Sequence, residues 1–484
     1  MKKINILMVM VALLFSACSD FLDVEPTNSG DANTAIKTAA DAQIMINGLM
    51  SKMASGSYYG RNFPLYGDVK GGDLTVYSQG RGYDYLYAFN HSETSNTYSG
   101  IWSQGYHNIA QINNLLESIE ALKAEGSTDN FDAYEGQALT ARAITLFDLV
   151  RLYGKFYQED NTAWGVPNIT VTLPSNAQEL RATVAENYTQ ILDDLKAAEP
   201  LLTKSKANGY INYWANKAMQ ARVYLYMGQN DLALAAAEEI IHSNVYRLYD
   251  NNEWVTSWTN EFGTESIFEL AIYPSEGDLG NSSLGAYVRR QGHGSSAILG
   301  NFLASDSFIA RMAEDPDDVR HGVIGRDETS ASRMGSWYKY SGSTDLAGDK
   351  KSSNSTAVNI KVIRLSEVYL IAAEAALTLD PEKAANYLNE IRKRAPNLTP
   401  ATAETVSLDM IADERSKELF GEGHRFFDMI RWNRPITFND ELGNLAITHR
   451  DKTIDRSFYK TLLPITITEI NANPEIKTQQ NPGY

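Results

Sequence analysis

Cysteine is almost missing from this chain of 484 residues: Cys18 stands alone. One thiol cannot close an intramolecular disulfide or build a cysteine zinc site. Histidine is sparse too, with seven residues and no His-x-x-x-His or His-Glu-x-x-His pair. Zinc catalysis therefore lacks its usual ligand spacing. Basic charge is in deficit, since 43 Lys and Arg face 60 Asp and Glu for a net charge of −17. That field repels phosphate backbones and argues against nucleic acid as a partner. No Gly-x-Ser-x-Gly elbow and no phosphate loop occurs. No apolar run reaches the roughly 18–20 residues of a membrane-crossing helix. What is present is ordinary for a globular protein: 43% hydrophobic and 21% charged residues, enough for a large core. A prior of roughly 150 residues per domain gives about three units, a prior that repeat folds override.

The N-terminus accounts for the cysteine. Lys2 and Lys3 precede an apolar run from Ile4 to Phe15 broken only by Asn5. Ser16, Ala17 and Cys18 follow. Residues 1–17 read as a secretory signal peptide, too short to span a bilayer. Phe15-Ser16-Ala17-Cys18 resembles a bacterial lipoprotein signal, whose cysteine is lipidated and becomes the mature N-terminus. An ordinary signal peptide cleaved nearby is the alternative. Residues 18–33 read as an extended leader, and residues 34–484 as the folded body.

That body is expected to be mainly α. Helical patterns run near 34–54, 100–124, 131–153, 180–202, 212–227 and 230–243, and resume near 364–378, 381–394 and 405–420. Residues 244–362 carry Gly, Ser and Asn clusters and read as a loop-rich insert with short strands. Gln137–Arg142 resembles Lys217–Arg222. Ala221 and Ala233, with a turn at Gly228–Asp231, fit tetratricopeptide spacing. Ala372 and Ala384, with a turn at Asp380-Pro381, repeat it. Small residues at such positions let paired helices approach closely and stack. The expected helical repeats cover about 100–243 and 364–420.

Three C-terminal segments carry a family resemblance. They are Ile363–Ala375, Leu388–Arg392 and Asp413–Trp432, followed by Leu463-Pro464-Ile465, Glu469–Pro474 and the closing Gln480–Tyr484. Together with the leader, they resemble the RagB/SusD family over essentially the whole mature chain. The resemblance implies a single mainly helical SusD-like domain, with tetratricopeptide-like repeats supporting a loop-rich ligand-binding face. It implies a lipid-anchored protein of the outer membrane, exposed at the cell surface. It also implies capture of a glycan, or in some members a peptide, for a SusC-like TonB-dependent transporter. The signature 413–432 itself reads as framework. Asp413/Lys417, Glu422/Arg425 and Asp428/Arg431 sit at helical spacing, Gly421 and Gly423 permit a turn, and Phe426, Phe427 and Trp432 read as packing groups.

Residues 57–106 hold twelve aromatics. Aromatic faces cover the C–H patches of sugars at low side-chain entropy cost, and polar groups bond the hydroxyls. Candidate ligand residues here are Asp73, Tyr77, Arg81, Tyr83 and Trp102; Tyr77 and Arg81 lie in a Gly-flanked loop. Tyr83, Tyr85, Tyr87 and Phe89 alternate, so a strand would place all four on one face, either core or site. The second region, 273–340, offers Tyr287, Arg289 and Trp337. The pair Arg289-Arg290 suits an anionic sugar or a peptide carboxylate, or is a solvated surface pair. A surface glycoside hydrolase would need two carboxylates about 5–9.5 Å apart, for which Asp68 and Asp73 could be nominated. A pure protein-binding adaptor is a third reading, against which the aromatic segment argues. Asp315, Asp317 and Asp318 are hard ligands suited to calcium, but match no EF-hand, so no cofactor is assigned.

Overall fold

A computed structural model describes residues 36–77, 83–94, 99–273, 283–288, 299–327, 330–340, 348–349, 357–442 and 445–484. The signal peptide, Cys18, Arg81 and Arg289 lie outside these described residues. Helices start where the sequence supplies caps. Thr38 and Asp41 form a capping box that opens α1, Ala39–Met53. Two short helices, α2 (Asn62–Val69) and α3 (Tyr83–Tyr87), precede the long pair α4 (Ser99–Ala124) and α5 (Asp132–Tyr153). A second capping box, Thr183 with Glu186, opens α6 (Val184–Ala198). Asn212 caps α7 (Tyr213–Met227), and Gly228, at φ 75°, ends it in the left-handed conformation that turns the chain into α8, Asn230–His242. The fold is mainly α, as expected, and most helix boundaries fall within a few residues of the periodic patterns.

The two helical blocks form one array. α4 packs on α5, α5 on α6, and α7 on α8. The insert that follows contains β2 (Ser266–Leu270) after β1 (Leu74–Val76), the short helices α9 (Leu284–Val288) and α10 (Asp306–Met312), and strands β3 (Phe302–Ala304), β4 (Ile324–Asp327), β5 (Ser330–Trp337) and β6 (Ile360–Arg364). These make two-stranded antiparallel pairs, β1 with β3, β2 with β6 and β4 with β5. Then α11 (Leu365–Ala376) docks on α8 and pairs with α12 (Pro381–Arg392). Asp380 caps α12 with Pro381 in its first turn. Ala221, Ala233, Ala372 and Ala384 are fully buried, so no bulky side chain holds these helices apart. The weak sequence repeat has a structural counterpart. Arg142 of α5 grips Asp194 of α6 through two bonds of 2.7 Å. Arg222, the matching residue of α7, grips Glu367 of α11 at 2.7 and 2.6 Å.

A buried charge network ties the insert to the second block. α13 (Leu408–Glu418) and α14 (Arg425–Arg431) flank a turn containing Gly421, Glu422 and Gly423. Arg364, at the end of β6, bonds Glu265 at 2.8 Å, Glu422 at 2.8 and 2.9 Å, and Glu418 at 3.2 Å. Arg394 reaches Glu265 at 2.9 Å, and Lys339 reaches Glu422 at 2.9 Å. Arg320 holds Asp318 at 2.6 Å and Glu414 at 3.0 Å, and Arg392 also meets Glu414, at 3.3 Å. Five cations thus face five carboxylates. Burial alone would raise the Glu418 carboxyl, but Arg364 and Arg394 outweigh it and hold the group below the usual carboxylate range. Gly421 has φ 81°, and a Cβ there would lie 1.9 Å from the Trp337 ring. Only glycine lets the turn carrying Glu422 pass this close.

Two of the three charge pairs expected within residues 413–431 are not local. Asp413 pairs with Arg311 at 3.1 Å, and Lys417 with Glu314 at 3.1 Å. Glu422 turns to Arg364 and Lys339, and Arg425 to Asp73 at 3.0 Å. Only Asp428 with Arg431, at 2.8 Å, is as expected. The turn at Gly423 breaks the spacing between Glu422 and Arg425, whereas Asp413 and Lys417 share α13 but face Arg311 of α10 and Glu314 just after it.

Two outcomes follow from this framework. Arg364→Met takes the shared cation from three buried carboxylates and should lower the unfolding free energy by about 3–5 kcal/mol in urea titration; an unchanged midpoint would contradict the network's role. Asp68 is buried and accepts the Gly423 N–H at 2.5 Å. Burial pushes its carboxyl from 3.8 up to about 8, despite that bond. The folded chain therefore holds a proton that the unfolded chain releases, and stability falls as pH rises from about 4 to about 8. Asp68→Asn removes that contribution, so the variant should gain stability relative to the parent between pH 5 and pH 8; a constant difference would refute it.

Candidate functional site

The two aromatic regions of the sequence meet in space. The β1–β3 ladder sets Val76 opposite Phe302, and the Tyr77 N–H continues it to the Asn301 carbonyl at 2.8 Å. Leu284, at the start of α9, donates its N–H to the Gly60 carbonyl at 2.8 Å. These bonds bring Tyr83 of α3 against Tyr287 of α9, with ring centroids 4.5 Å apart in an edge-to-face contact. Phe302 meets Tyr83 edge-on at 6.2 Å. The Arg61 guanidinium sits 5.8 Å from the Tyr83 ring and 5.6 Å from the Tyr287 ring, within cation–π range of both. Its Nε donates to Asn62 Oδ1 at 3.0 Å, and the Tyr83 hydroxyl donates to the same oxygen at 2.8 Å. Burial raises the Tyr83 phenol well above its ordinary range, so it stays a proton donor at neutral pH. Tyr77 stands at the end of β1 with 36% of its surface exposed.

The expected strand through Tyr83, Tyr85, Tyr87 and Phe89 is not formed. Residues 83–87 make the helical turn α3, so Tyr83 and Tyr87 share a side and Tyr85 points away. Tyr83, Tyr87 and Phe89 are buried, whereas Tyr85 is half exposed. Tyr87 packs against Phe438 beneath the Arg450 guanidinium. The alternation therefore did not mark a single face.

The other candidates lie apart from this cluster. Trp337 is fully buried, 4.8 Å from the Phe420 ring and against Gly421. Asp73 is buried between Arg425 at 3.0 Å, Arg311 at 3.1 Å and the Ser416 hydroxyl at 2.6 Å. Burial pushes its carboxyl up, but the two guanidiniums outweigh it and hold it below the usual range. Both residues serve as framework in this arrangement. Trp102 donates its indole N–H to Glu469 at 3.1 Å and packs edge-on against Tyr153. With Tyr106 and Pro167 it lines a separate cavity of about 170 Å³. The nominated carboxylate pair, Asp68 and Asp73, is buried in backbone and arginine contacts. The acidic cluster is engaged as well: Asp315 accepts from the Asn397 N–H at 2.8 Å, Asp317 accepts from its side-chain amide at 2.9 Å, and Asp318 holds Arg320. No group of three metal-ligating side chains occurs among the described residues.

Arg61 and Asn62 were missed by sequence reading. The available signal was position: both interrupt the run Tyr58, Tyr59, Phe63, where a cation among aromatics has ring faces to meet. Nothing in the sequence says that Tyr287 completes the set.

Among the described residues, no helix is long and apolar enough to cross a membrane. Residues 175–484 match the family model described as SusD family, and residues 20–225 match one described as starch-binding associating with outer membrane. A SusD-like protein P2 from Formosa agariphila is 25% identical over the full length of both chains. The crystal structure of a SusD superfamily protein from Bacteroides thetaiotaomicron superposes with a TM-score of 0.83 at 34% identity, covering 92% of this chain and all of that one. A laminarin-binding SusD-like protein superposes with a TM-score of 0.72 at 25% identity, over 93% of this chain and all of that one. With most of its length matched in both sequence and architecture, the chain belongs to the SusD family.

Proposed function

We propose that this protein is a non-catalytic capture protein that binds a glycan at the face built around Tyr77, Tyr83, Tyr287 and Arg61. The observation that carries this reading is the Arg61–Tyr83–Tyr287 cluster, which unites the two aromatic segments, with the exposed Tyr77 tied by its N–H to Asn301, next to Phe302 of the same cluster. Buried rings and a shared Asn62 acceptor hold that platform rigid, so little side-chain entropy is lost on binding. Tyr77 offers a ring face to a sugar's C–H patch, and Arg81 and Arg289, on the flanking segments, supply donors for its hydroxyls. The starch-binding family model and the laminarin-binding neighbour favour a polysaccharide ligand. Capture needs no general acid, which accords with Asp68 and Asp73 being committed to framework contacts. The glycan then passes to a SusC-like TonB-dependent transporter. Residues 34–484 act as one SusD-like domain, tethered to the outer membrane at the cell surface through lipidated Cys18.

Isothermal titration of the chain lacking residues 1–18 against laminarin, starch and mixed peptides tests the reading. A polysaccharide should bind without new reducing ends, and Tyr77→Ala should weaken it about tenfold, in keeping with roughly 1–3 kcal/mol for a stacked aromatic contact. New reducing ends would sink non-catalytic capture. Full-strength binding by both Tyr77→Ala and Arg61→Ala would remove the site from this face, and peptide binding alone would change the ligand class. Separately, Cys18→Ala should shift the expressed protein from the membrane pellet to the soluble fraction; retention in the pellet would refute the anchor.

A further inference from the structure

A larger cavity, of about 340 Å³, opens where the end of α5 meets α14 and the C-terminal segment. Tyr188 of α6, Tyr226 of α7, Phe426 and Phe427 of α14, and Tyr459 give it aromatic walls. None of its lining residues belongs to the Arg61–Tyr83–Tyr287 cluster. α2 stands between the two places: Phe63 stacks on Phe427 at 5.7 Å, whereas Asn62 bonds Tyr83.

The charge of this cavity opposes that of the chain. Arg151, Lys155 and Arg456 line it against one acid, Glu159, in a protein with 17 more acids than bases. Asp148 holds Arg151 at 2.5 Å and Asp160 lies 3.7 Å from Lys155, both from outside the lining. Glu159 stands 3.5 Å from Lys155 and 3.8 Å from Arg456, loose distances that leave both cations at the mouth able to turn to a ligand. The Arg151 side chain is 5% exposed. Its guanidinium lies 4.4 Å from the Phe427 ring and 5.5 Å from the Tyr226 ring, and donates to the Tyr226 hydroxyl at 3.4 Å. The Phe426-Phe427 pair belongs to the long sequence signature, whose charges are otherwise spent on framework.

We propose that this cavity is a second binding site, for a compact ring-bearing carboxylate. The ring would lie among Tyr226, Phe427 and Tyr459, and the carboxylate would accept from Arg456 and the Arg151 guanidinium. A uronic-acid sugar and an aromatic acid share that chemistry. The volume admits one or two rings, so the site holds a compact ligand where the glycan-capture face offers an exposed platform.

Ligand-observed NMR titration of the full chain with glucuronate, benzoate and glucose tests this. Arg456 and Tyr459 are partly exposed at the rim, so Arg456→Ala and Tyr459→Ala spare the core; an unchanged thermal melt verifies that. At least one of the two carboxylates should saturate, glucose should not, and Arg456→Ala should weaken binding at least about tenfold, the loss of one charge-assisted hydrogen bond. Saturation by glucuronate alone identifies an acidic sugar as the ligand source, and by benzoate alone an aromatic acid. Tyr77→Ala should leave the binding intact. The proposal is overturned if neither carboxylate saturates, if glucose binds as tightly, if both rim variants bind normally, or if Tyr77→Ala abolishes binding.

Discussion

The rest of the molecule depends on keeping Arg364 and its carboxylates out of water. Arg364 ends β6, Glu265 precedes β2, Glu418 ends α13, and Glu422 sits in the turn after it. These positions come from three separate parts of the chain: β2 and β6 pair with each other, and α13 with its turn comes from beyond both. A buried charge tolerates few arrangements, because each unpaired member costs several kcal/mol. The network therefore sets where the strand-rich insert sits on the helical array. The Gly421 and Gly423 turn is part of the same constraint. It delivers Glu422 to Arg364 and lets Trp337 pack where a side chain would otherwise stand.

From that anchoring follows the place of the aromatic cluster. The insert carries α9 and β3, and β3 pairs with β1. Once the insert is docked, Tyr287 reaches Tyr83, and Arg61 finds both rings. The face is thus assembled from secondary elements held at their ends by backbone ladders and buried rings.

The helical array contributes the reverse property, regularity. Arg142 with Asp194 and Arg222 with Glu367 repeat one device, a buried arginine gripping a carboxylate on a neighbouring helix. Fully buried alanines at the helix crossings do the close packing. The two helical blocks meet where α8 receives α11, so the second continues the first although more than a hundred residues separate them.

Helix positions, the mainly α class and the alanine spacing were legible in the sequence, because caps, periodicity and small residues act over a few positions. The long signature segments were legible for the same reason, as unbroken strings. Other features were decided only by the tertiary structure. Tyr83 to Phe89 alternate like a strand, yet residues 83–87 coil into α3, which buries Tyr83 and Tyr87 on one side. Trp337 and Asp73 looked like ligand groups by residue type, but their partners Phe420, Arg311 and Arg425 come from distant segments and take them inside. Of the charge pairs written at helical spacing in residues 413–425, Glu422 and Arg425 part at the Gly423 turn, whereas Asp413 and Lys417, on one helix, meet Arg311 and Glu314 brought in from a distant segment. Local sequence determines local conformation through short-range bonds and sterics. Which aromatic stays exposed, and which charge is buried with which, depends on segments that meet only after the chain has folded.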